Sequence, residues 1–332
     1  MLRTSAIAAR SPARSFGDPP IRPVGRSFAG SVFRPSVHAL VHALLACVAI
    51  AAFGTVSTAP PVRAVEAIRT VDPARSADGS EASATLLDPY PKAAAAYLVV
   101  VDGVELWGHA PDRALPPASL TKLMTALVVL ERWEPDAIVE VSPTAAAATG
   151  SRIGLRAGDR LRLADAFEAL LVASANDACL ALAEHAAGSV ERFVERMNRK
   201  ASALALHATR FRNPCGLDAA GHRSTARDLY RLTRVAMAEP ELARAVARPE
   251  VAFRTLAGRA LAKPSGNLLL GRVPGAVGVK SGFTRRAGKC LAALVRRGGD
   301  DVAVILLDAP DRWWAASILI EDAFAALAAA RR

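Results

Sequence analysis

The chain has 332 residues, 52% of them hydrophobic and 22% charged, enough apolar material for one or two domains with a sizeable buried core. Its formal net charge is +11, yet no basic cluster is interleaved with aromatics, which argues against nucleic acid as a partner. No metal-ligand cluster and no nucleotide fingerprint is found, so no cofactor is expected.

Seven arginines lie before residue 64 against a single acid, Asp18, so this arm carries +6 and the remainder +5. A modest positive balance on the main body suits an anionic setting such as cell wall or lipid headgroups. Residues 37-VHALVHALLACVAIAAFGTVST-58 are uncharged and largely apolar. Behind a basic arm and ahead of small-residue exits at 62-VRA-64 or 65-VEA-67, they read as a secretory signal. The run is also about long enough, at roughly 20 residues, for an uncleaved single-span anchor. Either reading keeps the arginines inside and exports the rest, to the periplasm or the outer face of the cytoplasmic membrane. Residues 1–63 are therefore assigned to a basic arm and export signal or anchor. Residues 64–90, rich in Ala, Ser, Asp and Glu without period, form a flexible linker. The folded domain is expected over 91–330. Cys47 falls in the export segment. Cys179, Cys215 and Cys290 are an odd set and not a disulfide framework; they read as small core residues, with a pair among them left open.

The first folded text, 96-AYLVVVD-102 and 104-VELWGH-109, is a hairpin turning at Asp102–Gly103. Helix-like sequence follows from Ser119 to Trp133. From about 163 to 248, Ala- and Leu-rich helical stretches alternate with loops such as 212-RNPCGLDAAGHRS-224. Strands return at 276-AVGVKSGF-283, 288-GKCLAALVRR-297 and 301-DVAVILLD-308, and an amphipathic helix closes the chain over about 312–330. Strands at both ends with helices between them fit one sheet with an inserted helical block.

Three short motifs carry chemistry. In 118-ASLTKLMTA-126, Lys122 follows Ser119 by three residues, which places both on one face of a helix. The chain has six lysines and many arginines, so a generic charge here would read as Arg. A serine hydroxyl needs a base to become a nucleophile. A lysine amine serves once burial or neighbouring cations lower its pKa; a guanidinium does not. Free N–H groups at a helix start can also hold an oxyanion. Taken alone, the pair reads as an N-cap serine beside a snorkelling lysine, because the pattern is short. In 172-VASANDACLALAE-184, Ser174 and Asn176 precede a helix and, taken alone, read as capping residues. In 278-GVKSGFT-284, Lys280 sits on an apolar strand next to Ser281 and Gly282; a strand glycine admits a close backbone approach, and an edge-strand lysine is the plain alternative.

S-x-x-K, S-x-N and K-S-G in this order, 55 and 106 residues apart, form the motif set of penicillin-binding proteins and class A β-lactamases. From about Pro91 to Ala328 the chain resembles a low-molecular-mass penicillin-binding protein, a serine D-alanyl-D-alanine carboxypeptidase. The resemblance rests also on 208-ATRFRNPCGLDAAGHRSTARDL-229, 266-GNLL-269 and 277-VGVKSGFTRRAGKCLAA-293. It implies an α+β, serine β-lactamase/DD-peptidase-like fold: a five-stranded antiparallel sheet flanked by helices, from 91–118 and 275–330, with an inserted all-helical lobe over about 119–270. It implies removal of the terminal D-alanine from peptidoglycan stem peptides through an acyl-enzyme on Ser119, with Lys122 as base, Ser174 relaying a proton to the leaving amine, and Asn176 holding the substrate amide and Lys122. Backbone N–H groups of Ser119 and Phe283 would form the oxyanion hole. Lys280, Ser281 and Thr284, with Gly282 beside them, would hold the terminal carboxylate; Arg312 would join that site, a surface arginine near the last helix being the alternative for it. Penicillins would acylate Ser119. A D,D-endopeptidase on crosslinks is the alternative within the same chemistry; a β-lactamase and an inactive wall-binding homologue are others.

Two positions depart from the family pattern. Ala175 replaces a usual Gly and adds a methyl beside the cleft, with an expected effect on rate or specificity. Ser281 replaces a usual Thr and keeps the hydroxyl. His222 is expected to be structural and Asp177 a helix cap. Glu191, Glu195 and Asn198 lack the spacing of a deacylating glutamate.

Overall fold

In the computed structural model the described residues are 86–332. The expected export segment, Cys47 and most of the expected linker lie outside them. Packing begins with Leu87, which bridges to Trp107, and with Asp88, which accepts from the Tyr97 hydroxyl.

Nine strands and eight α-helices are found among the described residues. A five-stranded antiparallel sheet has the order β2-β1-β9-β8-β7, with β1 at Ala96–Val101, β2 at Val104–His109, β7 at Ala276–Thr284, β8 at Gly288–Arg297 and β9 at Asp300–Leu307. Early and late strands of the described residues thus meet in one sheet, β1 pairing with β9 from Ala96↔Leu307 to Val101↔Val302. The strands are apolar almost throughout because both faces are covered. Leu98, Val100, Ala292, Leu294, Ala303 and Ile305 face the helical block. Their neighbours Val99, Val101, Leu291, Ala293, Val302 and Val304 face the last helix. This is the two-residue period of a strand read from both sides.

The helical block holds α1 (Lys122–Leu130), α2 (Pro143–Ala146), α3 (Leu163–Leu171), α4 (Asn176–Ala187), α5 (Val190–Ala203), α6 (Ala226–Ala238) and α7 (Pro240–Val246). Every residue of α1 from Lys122 to Val129 is buried, as expected of a helix apolar all round. The block is not all-helical, however. It carries two small antiparallel hairpins, β3 (Ile138–Glu140) with β4 (Arg160–Arg162), and β5 (Glu250–Arg254) with β6 (Ala260–Pro264). Three-residue strands are too short to show alternation, and the alanines of β5 and β6 mask theirs.

The last helix, α8 (Arg312–Ala330), lays Ala315, Leu319, Ile320, Ala323 and Leu327 on the sheet. It is less amphipathic than its sequence suggested, because alanine also covers its outer side. By length and composition it is apolar enough to cross a membrane, but one face of it is packed on the sheet.

Candidate active site

Ser119 lies on a four-residue 3-10 turn, Ala118–Thr121, that runs into α1, rather than on the first α-turn as the sequence suggested. In a 3-10 turn, side chains at i and i+3 eclipse. The Lys122 amine accordingly sits 3.1 Å from Ser119 Oγ. Two further oxygens meet it, Asn176 Oδ1 and the main-chain oxygen of Cys215, each at 2.7 Å. A neutral amine has two N–H bonds and one lone pair. With both N–H bonds taken by these acceptors, the lone pair is left for the serine hydroxyl.

Lys122 is fully buried. Burial holds its amine well below the ordinary lysine range, the nearby charge of Lys280 adds to this, and Asp177 opposes it. Asp177 is not the plain cap expected. It is wholly buried at the start of α4, and its carboxylate accepts from the N–H groups of Ile153, Gly154 and Leu155. That pins the loop whose Thr149 oxygen accepts from Asn176 Nδ2 at 2.5 Å. Ser174, half-buried just before α4, has a left-handed backbone (φ 54°), a conformation that costs a non-glycine residue about 1–3 kcal/mol. Ala175 is buried in the core, so its extra methyl does not line the cleft.

The opposite wall is β7, the sheet edge. Lys280 is buried and donates to the Ser281 main-chain oxygen at 3.0 Å. Burial first, and then the Arg312 guanidinium, lower its amine to about 7. Arg312 is half-buried behind the strand, where it donates to the Gly282 and Cys290 oxygens. The Ser281 hydroxyl donates to the Gly266 oxygen at 3.1 Å and that of Thr284 to Asp218 at 2.6 Å, so both hydroxyls expected to hold a carboxylate already have partners in the chain. Phe283 is exposed. Glycine at 282 also has a reason within the chain. A Cβ there would lie 2.8 Å from the Ser119 nitrogen, so the Ser119 turn itself approaches the strand. Gly216 does the same from the other side: a Cβ would lie 1.8 Å from the Ala118 oxygen. Two glycines thus clamp the peptide plane that precedes Ser119.

The sequence marked 212–224 as a loop but gave the 213–217 turn no contact with Lys122. Asn213 Oδ1 accepts from the N–H groups of Cys215, Gly216 and Leu217, which shapes it, and Thr125 donates to the Pro214 oxygen at 2.5 Å. Nor did it assign the disulfide between Cys179 on α4 and Cys215, residues 36 apart with no spacing signal; Cys290 alone is a buried free thiol among the described cysteines. His222 is structural, as expected. Arg212 N–H donates toward its Nδ1, so Nε2–H faces Thr121 Oγ1 at 2.9 Å, and burial lowers its pKa to about 4. A cavity of about 530 Å³ at the far end of the sheet, lined by Tyr230, Arg234 and Asp301, contains none of the motif residues.

Comparison with known proteins gives the family and the fold. A family model described as D-alanyl-D-alanine carboxypeptidase matches residues 88–311. The D-alanyl-D-alanine carboxypeptidase DacF of Bacillus subtilis (strain 168) is 34% identical over 201 residues, 59% of this chain and 52% of that protein, so the chain spans about half the length of this relative. A D-alanyl-D-alanine endopeptidase of Pseudomonas aeruginosa is 34% identical over 247 residues, 69% of this chain and 79% of that protein. The crystal structure of the Streptomyces K15 DD-transpeptidase superposes with a TM-score of 0.68 at 28% identity, covering 72% of this chain and all of that one.

Proposed function

The chain belongs to the D-alanyl-D-alanine carboxypeptidase family, and from that premise we propose that it removes the terminal D-alanine of peptidoglycan stem peptides by acyl transfer to Ser119. The observation that carries this reading is the Lys122 amine, buried, 3.1 Å from Ser119 Oγ and 2.7 Å from each of two other chain oxygens.

Ser119 attacks the carbonyl between the two D-alanines while its proton passes to the neutral Lys122 amine. The Oγ–C bond forms, and the oxyanion is held by main-chain N–H groups of Ser119 and Phe283. The C–N bond breaks as the proton moves, through Ser174, to the departing D-alanine amine. Water then adds its hydroxyl to the acyl carbon and returns a proton to Ser119. Asn176 keeps Lys122 aimed and hydrogen-bonds the substrate amide. Lys280 has three N–H bonds when charged and one acceptor among the described residues, so the substrate carboxylate completes its coordination. Ser281 and Thr284 exchange their internal bonds for the same carboxylate, and Arg312 reinforces the positive charge from behind.

The disulfide supports an oxidising compartment. We place the activity outside the cytoplasmic membrane on that ground and on the apolar stretch behind a basic arm, with N-terminal anchorage as one of two ways the segment serves.

Incubation with benzylpenicillin followed by mass spectrometry tests the reading: a stable covalent increment on the Ser119 peptide is expected. Rapid release of penicilloate without a lasting adduct identifies a β-lactamase, and no adduct in the folded protein removes the serine mechanism. The similarity to an endopeptidase favours one second reading, cleavage of crosslinks. Release of D-alanine from a short D-Ala-D-Ala peptide, compared with cleavage of a purified crosslinked dimer, separates the two.

A further inference from the structure

Lys122 owes its orientation to two acceptors that belong to different parts of the chain. Asn176 Oδ1 is on α4; the Cys215 oxygen is on the irregular 213–217 turn. The Asn213 bonds shape that turn from within and do not fasten it to α4. Thr125 fastens it to α1 through the Pro214 oxygen. Its covalent tie to α4 is the disulfide: Cys179 is three residues after Asn176 on the same helix face, and its partner is Cys215 itself. Both cysteines are fully enclosed, at 0% and 1% exposure, beside an amine that is also wholly buried.

We propose that the Cys179–Cys215 disulfide is a positioning element for acylation, holding the Cys215 carbonyl and Asn176 Oδ1 at the separation that engages both N–H bonds of Lys122 and aims its lone pair at Ser119. The inference rests on the reading of Ser119 as nucleophile.

Opening the bridge has a directional consequence. The turn then moves relative to α4 and admits water to the amine. Burial is the first cause of the depressed lysine pKa, so hydration raises it toward the ordinary value. The charged groups facing Lys122, namely Lys280 from β7 and Asp177 from α4, are not on the turn and keep their opposing effects. A Lys122 protonated at neutral pH has no lone pair for Ser119, and acylation slows without loss of the carboxylate site.

The test measures acylation by a fluorescent penicillin across pH for the full chain and for Cys179→Ala/Cys215→Ala. KM for a D-Ala-D-Ala peptide and the thermal midpoint are followed in parallel. Expected are an acylation constant lower by about tenfold or more at pH 7, a rising limb displaced to higher pH, and a KM changed by less than about twofold. A rate within about threefold of the parent and an unmoved pH profile overturn the inference, whether or not the midpoint falls, because a merely structural staple predicts that pattern. Should the double variant not fold, the native protein is reduced with a phosphine. The phosphine is oxidised to its oxide, and water supplies the oxygen and the two thiol protons; thiol release is counted by mass spectrometry, and the same two outcomes decide. Absence of any Ser119 adduct on the unmodified protein removes the proposed function and this inference together; an adduct with an unchanged profile removes this inference alone.

Discussion

The two walls of the cleft each bury a lysine, and they hold it in opposite ways. On the helical wall, Lys122 meets three oxygens supplied by the chain and is complete without a ligand. On the strand wall, Lys280 has one main-chain acceptor and a guanidinium nearby. A buried ammonium short of acceptors is costly, and the cost falls when a carboxylate arrives. On the proposed reading the base is therefore preorganised, while the anion site is left for the substrate to finish.

Removing the base breaks the comparison most severely. Lys122→Met is expected to slow penicillin acylation by about 100- to 10,000-fold, measured by adduct formation over time. Lys122→Arg should not restore it, since a guanidinium stays charged. Gly282→Ala joins the two walls: its Cβ would press on the Ser119 nitrogen. A displacement of this kind costs about 100-fold in acylation, and the thermal midpoint should fall as well, because the same Cβ would lie 2.9 Å from Ala118 Cβ and overpacking of this kind costs about 1–3 kcal/mol. Lys280→Met should raise KM for a D-Ala-D-Ala peptide by about tenfold, the order expected for one lost charged hydrogen bond. In the parent protein Lys280 is charged below pH about 7 and loses its proton above it. KM should therefore climb as pH rises through 7, and the variant's KM should stay flat there.

A further effect is on stability rather than on catalysis. His222 is held neutral, its pKa lowered to about 4 from an ordinary 6.5. The unfolded chain binds the extra proton first, so stability is full above about 6.5 and is lost as pH falls toward about 4, by up to about 3 kcal/mol. Melting temperatures from pH 7 to 4 check the slope, which should flatten in His222→Gln.

Much of this protein is written in short-range text. The apolar runs at 96–101, 288–297 and 300–307 admit little besides buried strands, and S-x-x-K, S-x-N and K-S-G keep their order and residue types whatever the packing. Those runs and motifs identified the sheet, the helical insertion and the residues that line the cleft. Other features depend on approaches between distant segments and leave no local mark. The pairing of Cys179 with Cys215 needs α4 and the 213–217 turn side by side. The purpose of Gly282 is visible only once Ser119 lies against it, and Asp177 reads as a cap until residues 153–155 fold onto it. Sequence periodicity reports which face of an element is buried; it carries no information about which distant backbone oxygen a buried amine will meet. The lysine proposed as base is legible in the sequence. The direction of its lone pair was decided by tertiary structure, because two acceptors 39 residues apart had to converge on one nitrogen.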